Sequence, residues 1–201
     1  MFKFTQEILG KTLSAQEFME FTSSIFERKS KEKPYDNENY LNYTKSNFRW
    51  SKRMAKSFEI TPQQQEILQN IEKPMLWILL NEPWCGDGAF TQALLNQIAI
   101  ASEGKITLQI LLRDKNPEVI NNFLTNGGMA IPKLIVLDKN YQLITTWGPR
   151  PKKLQDQLEG WKKDENFDNT AKIHRVYEWY IKDKNQSAQE EIFELISKEI
   201  E

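Results

Sequence analysis

Six apolar residues in unbroken succession, Met75 to Leu80, are followed by Glu82-Pro83-Trp84-Cys85-Gly86-Asp87-Gly88, and then by Phe90, Leu94, Leu95 and Ile98 at helical spacing. A continuous apolar run of this length is what a strand buried on both faces requires. It predicts an α/β protein with helices on each side of a sheet. The turn from that strand into the helix carries the only cysteine of the chain. A thiol at such a point lies beside unpaired backbone N–H groups and the positive end of a helix, and both favour a thiolate. Cys85 is therefore a candidate nucleophile. The plainer reading is a small residue kept at a tight turn.

Residues 72–160 continue in the same style. The helix after Cys85 runs to about Ala101. Ile106, Leu108, Ile110 and Leu112 alternate as a strand should. Pro117 to Leu124 reads as a short helix capped by Asn126-Gly127-Gly128. Lys133 to Leu137 is a third strand, and Asp138-Lys139-Asn140 turns it into a fourth, Gln142 to Trp147. Pro149 to Leu158 suggests a last helix. The predicted order is βαβαββα.

Helical segments flank this unit. Residues 1–71 hold two N-terminal helix signals, Ser14-Ala15-Gln16-Glu17 and Thr61-Pro62-Gln63-Gln64. A further helix is expected around Trp50, Met54 and Phe58, after a charged exposed loop from Lys29 to Asn39. Residues 161–201 carry a stripe of Ile173, Val176, Tyr177, Tyr180 and Ile181. A last helix follows, capped by Ser187-Ala188-Gln189-Glu190 and bearing Ile192, Phe193, Leu195, Ile196 and Ile200. The expected organisation is thus an N-terminal helical extension (1–71), an α/β domain (72–160) and a C-terminal helical extension (161–201).

The 27 basic and 28 acidic residues give a net charge of −1, which provides no broad field for nucleic acid or an anionic membrane. One cysteine forbids an internal disulfide and suits a reducing compartment. The N-terminus, Met1-Phe2-Lys3-Phe4, lacks a secretory pattern, and no apolar run approaches a bilayer span. A soluble cytoplasmic protein is expected. His174, the only histidine, has no ligand-type neighbours in sequence, so no metal and no cofactor are expected. The oligomeric state is open.

Trp84-Cys85-Gly86 resembles the Trp-Cys-Gly-Pro-Cys site of thioredoxins, and the βαβαββα order is similar to the thioredoxin fold. The resemblance implies a central mixed four-stranded sheet flanked by helices, with extra helices at both termini. Ile131-Pro132, 47 residues after Cys85 and directly before a strand, stands where thioredoxins place a cis-proline facing the active-site cysteine. Gly148 matches a glycine that lines their substrate groove. The sequences Asn126-Gly127-Gly128, Ile131-Pro132-Lys133-Leu134 and Trp179-Tyr180-Ile181-Lys182-Asp183-Lys184 resemble those of bacterial thioredoxin-family proteins with helical extensions.

Two departures matter. Asp87 replaces the family's proline, and Gly88 replaces its second, resolving cysteine. Leu79 stands where thioredoxins bury an acid that assists that second thiol. The resemblance therefore implies a monothiol redox protein. In it, Cys85 forms mixed disulfides with a protein or a small thiol such as glutathione, and Trp84, Gly86, Asp87, Ile131, Pro132, Trp147 and Gly148 line the substrate groove. Trp147 is equally compatible with packing under the terminal helices. The competing reading is a redox-inactive module that binds a protein or peptide. A monothiol glutaredoxin-like role with glutathione and an iron–sulfur cluster is a third, set aside because Trp84 is a thioredoxin feature.

A helix N-terminus is worth up to about 2 kcal/mol to a thiolate. Asp87 opposes it by roughly 0.7 kcal/mol in water and about 2.8 at an effective dielectric near 20, taking about 6 Å between the charges. The sequence thus predicts a modestly reactive thiol whose pKa Asp87 holds up. It also predicts that Gly88→Cys raises disulfide reductase activity.

Overall fold

The computed structural model describes residues 2–28, 30–161, 163 and 169–200. Met1, Lys29 at the start of the charged loop, Lys162, 164–168 of the C-terminal extension, Glu201 and the side chains of Asn169, Thr170 and Ile200 lie outside the described residues.

The chain runs α1 (Gln6–Leu9), α2 (Ala15–Glu27), α3 (Glu38–Lys56), α4 (Pro62–Gln69), β1 (Met75–Asn81), α5 (Gly86–Ala101) and β2 (Ile106–Leu112). It continues with a single 3-10 turn (Arg113–Lys115), α6 (Pro117–Ile120), β3 (Lys133–Leu137), β4 (Leu143–Trp147), α7 (Lys152–Trp161), α8 (Asn169–Asp183) and α9 (Gln186–Ile200). The four strands form one sheet in the order β2-β1-β3-β4. β1 is parallel to β2, with Met75 opposite Ile106 and Asn81 opposite Leu112, and antiparallel to β3. β4 closes the far edge, antiparallel to β3. On the other edge, Leu13 exchanges both backbone hydrogen bonds with Ile110 at 2.7 and 2.8 Å, which covers part of β2.

The apolar run of β1 is explained by helices on both faces. Alternate side chains point to opposite sides of a sheet. Trp77 and Leu79 pack with Leu94, Leu95 and Ile98 of α5 and with Ile192 and Ile196 of α9. Ile78 and Leu80 pack the other way, with Val119, Ile120, Phe4, Ile131 and Cys85 itself. α5 is nearly continuously buried from Asp87 to Leu95, as a helix held between a sheet and further helices must be. Its outer face receives Met54 of α3 and Val176 and Tyr180 of α8.

Both N-terminal helix signals form reciprocal capping boxes, Ser14 with Glu17 and Thr61 with Gln64. Three local readings are corrected. The helix expected over 117–124 ends at Ile120, and Phe123 turns inward beside Phe4. Asn126-Gly127 is consequently a hairpin turn rather than a helix cap. Both residues have positive φ (51° and 77°), and Thr125 and Gly128 exchange backbone hydrogen bonds across them. Ser187 lies inside α9, because its N–H and its hydroxyl both donate to Asp183 at the end of α8. Within the charged loop Tyr35 is buried, although Lys33 and Asp36 are exposed.

Candidate functional site

Cys85 is the N-cap of α5. Its turn closes with a hydrogen bond from Cys85 N–H to the Glu82 carbonyl (3.0 Å). Sγ accepts from Gly88 N–H at 3.4 Å and donates to the Ile131 carbonyl at 3.5 Å. The sulfur is thus a bridge between the start of α5 and the segment before β3. The peptide bonds Ile131–Pro132 and Gly148–Pro149 are cis. Gly148 has φ +111°, and a Cβ there would lie 2.4 Å from the Pro132 carbonyl oxygen. Only glycine lets the end of β4 pack against that segment.

The helical extensions hold this turn from the other side. Asn47 of α3 is buried and donates to the Pro83 carbonyl at 3.0 Å, while its side-chain oxygen accepts from the Tyr177 hydroxyl of α8. The Tyr177 ring lies directly over Gly86, where a Cβ would come within 2.9 Å of its hydroxyl oxygen.

Asp87 does not point into solvent. It accepts from Arg150 Nε (2.9 Å) and Nη2 (2.7 Å) and from the Tyr180 hydroxyl (3.1 Å). Tyr180 is fully buried and stacks on Phe90 at 4.4 Å. A buried ion pair therefore ties the first turn of α5 to α8 and to the residue after Gly148-Pro149.

The expectation of a modestly reactive thiol is corrected by burial. Cys85 is only 6% exposed. Desolvation pushes its pKa up to about 12, and Asp87 adds to the rise. The Gly88 N–H and the Arg150 and Arg113 guanidiniums oppose it and lose. Weighing only the helix terminus against Asp87 omitted the largest contribution.

Gly88 is not an empty seat for a second thiol. A Cβ at that position would lie 1.9 Å from Asn81 Oδ1 and 2.7 Å from its carbonyl carbon. The Asn81 side chain fills the volume that a side chain at 88 needs, and it is itself 1% exposed. The expected gain from Gly88→Cys is therefore withdrawn. That variant is expected to lose about 1–3 kcal/mol of stability by overpacking and to show no dithiol reductase turnover. Gly88→Cys with Asn81→Ala is expected to recover part of the loss. Urea midpoints and an insulin reduction assay check both. A single variant as stable as the parent and active would contradict this packing.

A groove of about 380 Å³ opens beside the sulfur. Trp84, Cys85, Gly86, Asp87 and Ile131 line it; Pro132, Trp147 and Gly148 do not. Trp147 packs against the core and donates from Nε1 to Glu191 Oε2 of α9 at 2.7 Å. It lies under a terminal helix. The other walls were not read from the sequence as parts of a groove, and Tyr177 was read there only as part of a helical stripe. Tyr40 and Tyr43 come from α3, Arg113 from the turn after β2, and Lys172 and Tyr177 from α8. Arg113 stacks on Trp84 at 4.9 Å from the ring centroid, and Tyr40 meets the same ring edge-on at 5.6 Å. Three residues before Cys85, Glu82 is 4% exposed and accepts from Asp114 N–H at 2.8 Å. Burial pushes its carboxyl up to about 7.

Among the described residues no three His, Cys, Asp or Glu side chains are grouped to hold a metal ion. His174 is exposed on α8. No described helix is long and apolar enough to cross a membrane.

A family profile described as thioredoxin matches residues 33–163 of the chain. The match begins upstream of β1 and takes in α3 and α4. Among solved structures, the chain is similar to a protein of unknown function from Pseudomonas aeruginosa. Identity is 19% over 75% of this chain and 88% of that one, with a TM-score of 0.47. It is also similar to an HIV epitope-scaffold, at 18% identity over 92% of this chain and 98% of that one, with a TM-score of 0.50. The second likeness, at 18% identity, speaks for the fold alone. No curated protein matches the sequence.

Proposed function

The chain belongs to the thioredoxin family, and from that premise we propose that it is a binding module, holding an extended peptide segment in the groove beside a thiol kept in its neutral form. The observation that carries this reading is the state of Cys85. It is buried, hydrogen-bonded as a donor to Ile131, and pushed up to about 12. At pH 7 such a thiol is only about one part in 10⁵ thiolate, and the thiolate is the nucleophile. No resolving thiol is present, and Asn81 occupies the space for one.

The groove suits an extended segment. Ala130 and Ile131 line it and precede β3, outside the sheet ladder. Among the described residues the Ala130 and Ile131 N–H groups have no backbone partner, which leaves them for strand-like pairing. Trp84, Tyr40 and Tyr177 offer the rigid aromatic surface common in binding sites. A cytoplasmic location, suited to a lone reduced thiol, is part of the proposal.

A second reading is the mixed-disulfide role of Cys85, with Trp84, Gly86, Asp87, Ile131 and Pro132 around it. The placement of the sulfur at the groove wall, on a helix start, favours it. Incubation of the native protein with glutathione disulfide near pH 7.5, followed by intact mass, separates the two. The binding reading expects no adduct over a time in which free cysteine reacts to completion. Rapid and thiol-reversible adduct formation would replace it with the second.

A further inference from the structure

The groove has a surplus of hydrogen-bond donors and of positive charge. Arg113, Arg150 and Lys172 line it, and Asp87 is the lining acid. Both Asp87 oxygens are already taken, Oδ1 by Arg150 and Tyr180 and Oδ2 by Arg150. Arg150 still has three of its five N–H donors, since it spends two on Asp87. Arg113 spends three, two on Asp114 and one on the Met129 carbonyl, and keeps two. Lys172 is half-buried in the wall and has no carboxylate partner among the described residues. Among the described residues the buried Trp84 indole N–H has no acceptor. The whole chain carries a charge of −1, so this concentration of cations is local.

The surface next to these donors is apolar. Trp84, Ile131, Ile173 and Val176 line the same groove. Met129, whose carbonyl Arg113 holds, directly precedes the lining residue Ala130 and is 50% exposed. The lining carboxylate is spent on Arg150 and Tyr180, so the charge left unpaired in the groove wall among the described residues is that of Lys172, and a complementary occupant brings negative charge together with apolar contacts.

We infer that the groove selects an extended peptide segment with a carboxylate side chain beside an apolar one, the carboxylate meeting Lys172 and the unspent N–H groups of Arg113 and Arg150. This rests on the peptide-binding reading above and names the chemistry of its ligand. Charge complementarity carries the choice. A basic segment would set like charge against Lys172, and a neutral one would leave that charge uncompensated.

The test uses the full chain and three capped hexapeptides. One is Ala-Glu-Leu-Glu-Phe-Ala, and in the others both Glu are replaced by Gln or by Lys. Binding is read from tryptophan fluorescence and from NMR shifts of the Trp84 indole and Ile131 amide. The Glu peptide is expected to bind about tenfold more tightly than the Gln peptide, with the gap closing at high salt. Lys172→Glu and Lys172→Met are each expected to remove that preference, and Lys182→Glu on the exposed side of the same helix to leave it. Equal binding of the Glu and Gln peptides overturns the charge inference and leaves the groove reading standing. Absence of binding by all three overturns both. Binding of S-methylglutathione in the absence of peptide binding assigns the cations to a small acid and overturns the peptide.

Discussion

Asp87→Ala is expected to destabilise the protein by about 3 kcal/mol, the lower end of what breaking a buried ion pair costs. The Arg150 and Asp87 side chains are 21% and 10% exposed, so neither is fully hydrated. Loss of the carboxylate strands the Arg150 guanidinium and leaves the buried Tyr180 hydroxyl without its acceptor. Asp87→Ala with Arg150→Met is expected to recover much of the loss, because a well-packed apolar pair often equals a buried ionic one. The single variant is also expected to lower the Cys85 pKa. Asp87 raises it and Arg150 lowers it, so removing the acid and unmasking the base act in the same direction. Urea unfolding reads the first effect and the pH dependence of alkylation the second. A loss below about 1 kcal/mol would mean that water, not Asp87, satisfies Arg150.

Glu82→Gln is expected to stabilise the protein by about 3 kcal/mol at pH 8 and to change little at pH 4. The folded-state value of Glu82 is raised from 4.5 to about 7, chiefly by burial. A carboxyl raised on folding contributes fully below its unfolded value and loses that contribution as pH rises through the folded one. The window is therefore from 4.5 to about 7. Glutamine keeps an oxygen for the Asp114 N–H and has no proton to lose. Denaturation midpoints at several pH values check this. Curves for the two proteins that run parallel from pH 4 to pH 8 would show that Glu82 stays hydrated.

The parts of the molecule that sequence made legible are those in which nearby residues decide the outcome. The unbroken apolar run of β1 declared burial on both faces. Ser14 and Thr61 carried their capping partners three residues on. Cys85 followed a strand and preceded a helical stripe, and it is the N-cap of α5. What sequence missed depends on residues brought together from far apart. The acid at 87 meets an arginine at 150 and a tyrosine at 180. The thiol is desolvated within a core that also holds Phe4, Ile8 and Ile131. Asn81 and Gly88 are complementary in volume, which no propensity records. Trp147 had two compatible environments, and Glu191 selects the one away from the groove. Asn126-Gly127 did carry a hairpin signal, but reading the preceding helix four residues too long turned it into a cap.

The central claim is that the fold holds Cys85 as a neutral thiol at the groove wall. The most direct test is the rate of iodoacetamide alkylation of the native protein from about pH 6 to about pH 10, with urea-unfolded protein alongside. The unfolded chain is expected to level off near the ordinary thiol value of 9.0. The native rate is expected to stay well below it and to climb about tenfold per pH unit with no plateau. A native plateau below about pH 8, with alkylation at neutral pH as fast as that of a small free thiol, would contradict the claim and make Cys85 a working nucleophile.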